Sequence, residues 1–302
     1  MRNFNRPWPW SLSAFLLTAG VGWFGLPQCR AAADPAPRCA HGLFSAADGP
    51  YTLKLKLNEG EETTYNVNLN LAVMSDNDDL VPNVDPTPLD FHAVQKVVKI
   101  APEGCTFQWS VPEQSIVANG QTVHKAVKPV TAAVDADGRS PEWLVLRIQS
   151  AVRRPEASLI NCQTTQIVFP PRAVAVGDTW TEPINLPTLN AKGETAYTLA
   201  SAGAVGDTKT VRIHFRLHCR FSFMWSGQGP TTDPAKAAMV YSGEFGEEGD
   251  ADVAIEDGRT VKETANIDLT LDAKPNSTGA ADALGKAARA KITAQATFAL
   301  AR

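Results

Sequence analysis

The residues most suited to chemistry lie between 212 and 220, where Arg212, His214, Arg216, His218 and Arg220 alternate with apolar side chains. His214 and His218 form an H-x-x-x-H pair, which on a helix would stack two imidazoles on one face and could hold zinc. Their apolar neighbours Val211, Ile213, Phe215, Leu217, Cys219, Phe221, Phe223 and Trp225 all fall on odd positions, so the segment reads as a strand. In a strand the two histidines stand about 13 Å apart, at roughly 3.3 Å per residue, and cannot share one ion. What remains is a cationic stripe. It is expected to face Glu248, Asp250, Asp252 or their neighbours on the next long strand. A surface that binds anions is the rival reading.

The other reactive types are weaker. Asp76, Asp78 and Asp79 could gather oxygens for calcium, yet they lack the EF-hand ligand pattern and its turn glycine, which favours a solvated acidic loop. Glu244, Glu247, Glu248, Asp250, Asp252, Glu256 and Asp257 form the densest acidic stretch, and nothing in the spacing gathers two of them in a cleft, so they read as a wet strand face. Ser226-Gly227 lacks the glycine spacing of a nucleophile elbow. No catalytic residue, metal ligand or cofactor is therefore assigned. Cys39, Cys105, Cys162 and Cys219 are even in number with no C-x-x-C pair, which permits disulfides. Cys105 and Cys219 share parity with aromatic neighbours and are the expected bridge, leaving Cys39 with Cys162.

The elements that would carry these residues are mainly strands. Tyr51, Leu53, Leu55 and Leu57 alternate with polar residues, and so do Tyr65, Val67, Leu69, Leu71 and Val73. Two such runs around Asn58-Glu59-Gly60 suggest a hairpin with Gly60 as the left-handed turn residue. The same reasoning places left-handed backbone at Gly138, with Val130 opposite Leu144, and at Gly258, with Val253 opposite Val261. Pro102-Glu103-Gly104 introduces a strand carrying Cys105, Phe107 and Trp109. Short helices fit only within 142 to 167 and 280 to 290, and residues 74 to 92, 226 to 238 and 272 to 285 read as loops. The fold class is mainly β, built from long antiparallel hairpins in a strongly twisted or curved sheet, closed either as a half barrel or as a two-sheet sandwich. Trp109, Trp143, Trp180 and Trp225 read as core.

Composition sets the frame. The 302 residues are 44% hydrophobic and 20% charged, ordinary for a folded chain, and 28 basic against 32 acidic side chains argue against nucleic acid as a partner. Arg2 and Arg6, the apolar run from 11 to 26 and Ala31-Ala32-Ala33 have the order of a secretory signal, too short to span a bilayer. Residues 1–33 are thus expected to be removed near Ala33, exporting the chain to the periplasm or beyond. Removal takes three arginines and no acid, which moves the formal charge from −4 to −7. Residues 34–50 read as a linker and 51–302 as one β-rich domain with no transmembrane segment. Its halves, 51–150 and 168–302, echo each other: Gly60 and Gly177 lie 117 apart, Gly138 and Gly258 120 apart.

The strings YTLKLKLNEGEETTYNVNLNL and FPPRAVAVGDTW, followed by the EDGR hairpin, resemble an exported bacterial family classed as a domain of unknown function. Pro171, Val176, Gly177, Asp178 and Trp180 carry the likeness. It implies a β-rich envelope protein and supplies no site residues. Three functions follow from the reading: a non-enzymatic structural or interaction domain, a carrier or sensor of a hydrophobic ligand resembling the half-barrel lipoprotein carriers, or an enzyme of unrecognised type. The partner would be a hydrophobic small molecule or another envelope protein.

Overall fold

Alternation over long stretches builds the sheet: among the described residues thirteen strands join in one antiparallel sheet, so strongly curled that it forms a half barrel. The computed structural model describes residues 49–77, 80–81, 83–112, 116–118, 121–123, 129–140, 144–148, 167–276 and 287–301. Cys39, Asp78, Asp79, Trp143, Cys162 and the expected 1–33 leader lie outside the described residues, as does all but the end of the expected 34–50 linker. The strands are β1 (Glu62–Ser75), β2 (Val84–Ala101), β3 (Gly104–Ser110), β4 (Ile116–Ala118), β5 (Gln121–Val123), β6 (Val130–Asp135), β7 (Thr179–Leu186), β8 (Ala191–Val205), β9 (Thr208–Trp225), β10 (Pro230–Thr231), β11 (Met239–Ala254), β12 (Thr260–Pro275) and β13 (Ala288–Leu300). Across the sheet they run β5-β4-β2-β1-β13-β12-β11-β9-β8-β7, with β3 also on β2, β6 on β3 and β10 on β9.

Parity decides which side faces in. Odd residues of β1, β9 and β12 and even residues of β13 are buried on the concave face, and their neighbours are largely exposed on the convex one. Small inward residues let the sheet bend. β13 contributes Ala288, Ala290, Ala294 and Ala296, and β11 contributes Gly243 and Gly249. A Cβ on Gly249 would meet the Thr264 carbonyl oxygen at 2.1 Å and the Phe215 ring at 2.9 Å, so only glycine allows that approach.

Several expectations need correcting. The run 51–57 does not pair with β1, whose flanks are taken by β2 and β13. It instead crosses as a strap that buries Leu53, because Tyr51 exchanges backbone bonds of 2.7 and 2.9 Å with Val174. Val130 does not face Leu144: β6 pairs with β3, and 144–148 is helical, with Leu144, Arg147 and Ile148 buried. Val253 pairs with Thr260, because a four-residue turn closes the hairpin and a bulge at Asp252/Val253 then restores the odd-to-odd register. Much of 74–92 is strand, since Leu89, Phe91 and Ala93 keep the buried alternation despite Pro86 and Pro88. Likewise β12 reaches Pro275 and β13 begins at Ala288. Gly60, Gly138 and Gly258 have φ of 83°, 93° and 74°.

The two echoing stretches share a bonding pattern. Before β1, the Gly60 amide donates to the Val97 carbonyl at 2.8 Å, and the Asn58 amide donates to the Glu61 carboxylate at 3.1 Å. Before β7, Gly177 donates to Leu199 at 2.8 Å, and Ala175 donates to the Asp178 carboxylate at 3.1 Å. At the far ends stand Asp137-Gly138-Arg139 and Asp257-Gly258-Arg259. The Asp137 carbonyl accepts the Phe169 amide at 2.7 Å, and the Asp257 carbonyl accepts the Lys56 amide at 2.9 Å. The 51–57 strap thus rests on the end of the second stretch, and the segment holding Phe169, which precedes β7, rests on the end of the first.

Candidate functional site

The cationic stripe lies on the convex face of β9, and β11 runs beside it with Arg212 opposite Asp252, His214 opposite Asp250, Arg216 opposite Glu248 and Arg220 opposite Glu244. Arg212 holds Asp252 with two bonds of 2.9 and 3.0 Å. Arg216 meets Glu248 at 3.1 Å and Arg220 meets Glu244 at 2.8 Å. His214 stands between Asp250 at 3.2 Å and Glu248 at 3.6 Å, and His218 is 3.7 Å from Glu244. Every member of the stripe therefore has an acid, which leaves little field for an external anion. Asp252 is buried, unlike the wet-face expectation; the other pairs are exposed and contribute about 0 to 1 kcal/mol each.

Glu247 departs from the wet-face reading. It shares parity with Phe245 and Ala251, so it points into the concave side, where its carboxylate is 0% exposed and pairs with the Arg147 guanidinium, 6% exposed, from the short helix. Arg147 also lies over the Phe245 ring at 5.8 Å. Two charges taken out of water must be matched closely, so this pair fixes the helix to β11. Glu263 on β12 is fully buried as well. The odd parity of Glu247 and Glu263 among apolar residues was the signal for both. Arg147 carried none, because its segment has too few residues to show a helical period.

A second, half-buried polar cluster sits where the 51–57 strap meets Asp257. Arg259 bonds Glu61, Asp257 (3.0 Å) and Thr63 (3.0 Å). The bond from the Asn58 amide, with Arg259 beside it, holds the Glu61 carboxyl below its usual value. Tyr65 donates to the Thr260 carbonyl at 3.0 Å and stacks on Trp109 at 5.6 Å; burial pushes its phenol well above the usual range. A cavity of about 30 Å³ remains here, between Leu55, Leu57, Tyr65, Phe107, Phe169 and Arg259. That is room for a water, not for a substrate. An open groove of about 490 Å³ lies along β2, β3 and β6, with Lys99, Glu103, Cys105 and Arg139 on its rim. Arg139 is already engaged by Asp135, Asp137 and Glu182.

The expected Cys105–Cys219 bridge is not formed, and both thiols are free. Cys105 lies on β3 beside β2 and β6, whereas Cys219 lies on β9 between β8 and β11. Both do point to the apolar side. Burial pushes each thiol up to about 11, so neither is a ready nucleophile at neutral pH. Trp109 and Trp225 are buried, and Trp180 stacks on Tyr197 at 5.3 Å while donating to the Val168 carbonyl at 2.7 Å. Asp76 accepts the Arg289 amide at 2.7 Å and so tethers the start of β13. Among the described residues no three His, Cys, Asp or Glu side chains converge on a metal-sized site, and no helix is long and apolar enough to cross a membrane.

Neither a family model nor a curated protein matches this chain. Among solved structures, one from Thermobifida fusca YX whose description names thioesterase II aligns over 82% of this chain and 80% of its own, with 10% identity and a TM-score of 0.12. A likeness at that level carries no argument about fold or activity.

Proposed function

We propose that the protein is an exported envelope domain, processed near Ala33, that works as a non-enzymatic interaction module through its outer surfaces. The observation that carries this reading is the filled concave face. Leu69, Leu71, Phe215, Leu269, Ile292 and Phe298 are each no more than 2% exposed. These side chains are closed off from solvent, which supports reading the described part of the half barrel as a dry core. The raised thiols and the matched outer charges agree with a scaffold rather than a reacting centre. Titrating the protein with a fluorescent fatty-acid analogue tests the reading. No saturable signal is expected, and one-to-one saturation would contradict it.

The carrier reading is favoured by a different observation, the smooth floor of Ala288, Ala290, Ala294 and Ala296 beneath a sheet curled around its apolar side. A ligand there would have to displace the side chains that now cover the floor. The same titration separates the two.

A further inference from the structure

The convex face divides into two strips of different chemistry. On β9 and β11 the side chains are charged and matched, as described above. Midway along β1, β13 and β12 they are uncharged amides and hydroxyls set in one lattice, because the register puts Asn70 beside Gln295 and Gln295 beside Asn266, with Glu62, Lys262, Asp268, Asp272, Lys274, Arg289 and Lys291 beyond it towards the strand ends. The neighbouring row holds Asn68, Thr297 and Thr264. Groups within a row lie on adjacent strands about 4.8 Å apart, and successive rows are about 6.7 Å apart along the strands. Asn66, Asn70, Asn266 and Gln295 are exposed and make no side-chain hydrogen bond with other described residues, whereas Asn68 is held by Asp90 at 2.6 Å.

Building on the interaction-module reading, we propose that this strip binds an uncharged polysaccharide chain laid along the strands. Each amide offers both a donor and an acceptor, which suits sugar hydroxyls that do the same. The Thr264 and Thr297 methyls supply small apolar contacts for the C–H faces of the sugar rings. Strand backbones hold the lattice in place before binding, so little ordering cost opposes weak, repeated contacts. On the adjacent strands each cation of the stripe has an acid, and beyond the amide lattice Arg289 pairs with Asp272 and Lys291 with Asp268, so a polyanion or a basic peptide meets no continuous row of one charge.

Affinity electrophoresis of the exported protein through gels containing hydroxyethyl cellulose, dextran or dextran sulfate tests the assignment. Retardation by a neutral polymer is expected. Asn70→Ala/Asn266→Ala/Gln295→Ala should weaken it about tenfold or more, since several hydrogen bonds are lost together. Arg216→Ala/Arg220→Ala should leave it unchanged. Equal melting temperatures of the triple variant and wild type would show that the loss lies in binding. The proposal is overturned if neither neutral polymer retards the protein, if the triple variant binds as wild type does, or if dextran sulfate alone retards it. Saturable lipid in the interior would refute the interaction reading and leave this gel result standing. Absence of retardation refutes only the glycan assignment.

Discussion

The stretch β1-β2-β3-β6 and the stretch β7-β8-β9-β11 open on the same glycine turn and end on the same Asp-Gly-Arg, yet they part company at that arginine. After Arg259 the chain enters β12, which pairs with β11 and then with β13, so the second stretch is joined to β1 and the curl continues. After Arg139 residues 144–148 form a helix whose Leu144 and Ile148 are buried with the core, and β6 keeps β3 as its described partner. The difference shows in which side chains are buried. Thr260 to Leu271 alternates with period two and continues the sheet, whereas within 144–148 the buried residues are Leu144, Arg147 and Ile148, three and four apart, with Val145 and Leu146 half-buried. One turn motif therefore serves two outcomes, and packing on β11 goes with the helical one.

The largest expected effect comes from breaking the anchor of the helical arm. Glu247→Ala removes the carboxylate that pairs with buried Arg147 and should cost about 3 to 5 kcal/mol, read as a drop in the urea midpoint. Combining Arg147→Met with Glu247→Leu should recover most of that loss. A double variant as unstable as the single one would show that the pair is not what seats the helix.

Next in size are the paired turn glycines. A Cβ at Gly258 would meet the Lys54 carbonyl oxygen at 2.5 Å in addition to the positive φ, whereas nothing lies within 4 Å of one at Gly60. Gly258→Ala should therefore cost roughly 2 to 4 kcal/mol, and Gly60→Ala about 1. Thermal unfolding of the two variants sharpens the comparison, since equal shifts would mean that strap docking on Asp257 contributes nothing.

A smaller effect is expected at low pH. Glu61 and Asp178 occupy equivalent turn positions, and each carboxyl is lowered first by a backbone amide, from Asn58 and Ala175 respectively. A carboxyl with a lowered folded value adds stability above its ordinary value, 4.5 for Glu61, and that stability is lost as pH falls through the lowered one. Glu61→Gln should thus flatten the acid limb of stability against pH, and an unchanged limb would contradict the turn assignment. Smallest of all, Arg216→Ala should shift stability by no more than about 1 kcal/mol, as its pair is exposed.

Much of the fold was legible because period two survives noise. Eight odd apolar residues from Val211 to Trp225 determine both the strand and its inward face, and through them the outward cationic stripe. Partner choice was less legible. The 51–57 run has the right alternation for a hairpin, but pairing depends on which strand arrives beside β1, and β13 comes from more than 200 residues away. The buried Glu247 was hidden by composition: it sits among five exposed or half-exposed acids and three glycines, so parity was the one clue to its direction. The disulfide expectation failed for a related reason, since parity gives the face of a cysteine and not its neighbour.

The central claim is that the concave face is filled by the chain itself. Native mass spectrometry of the protein, purified without detergent, tests it most directly. The account predicts the mass of the polypeptide alone, while a stoichiometric adduct of lipid mass that leaves on collisional activation would contradict it.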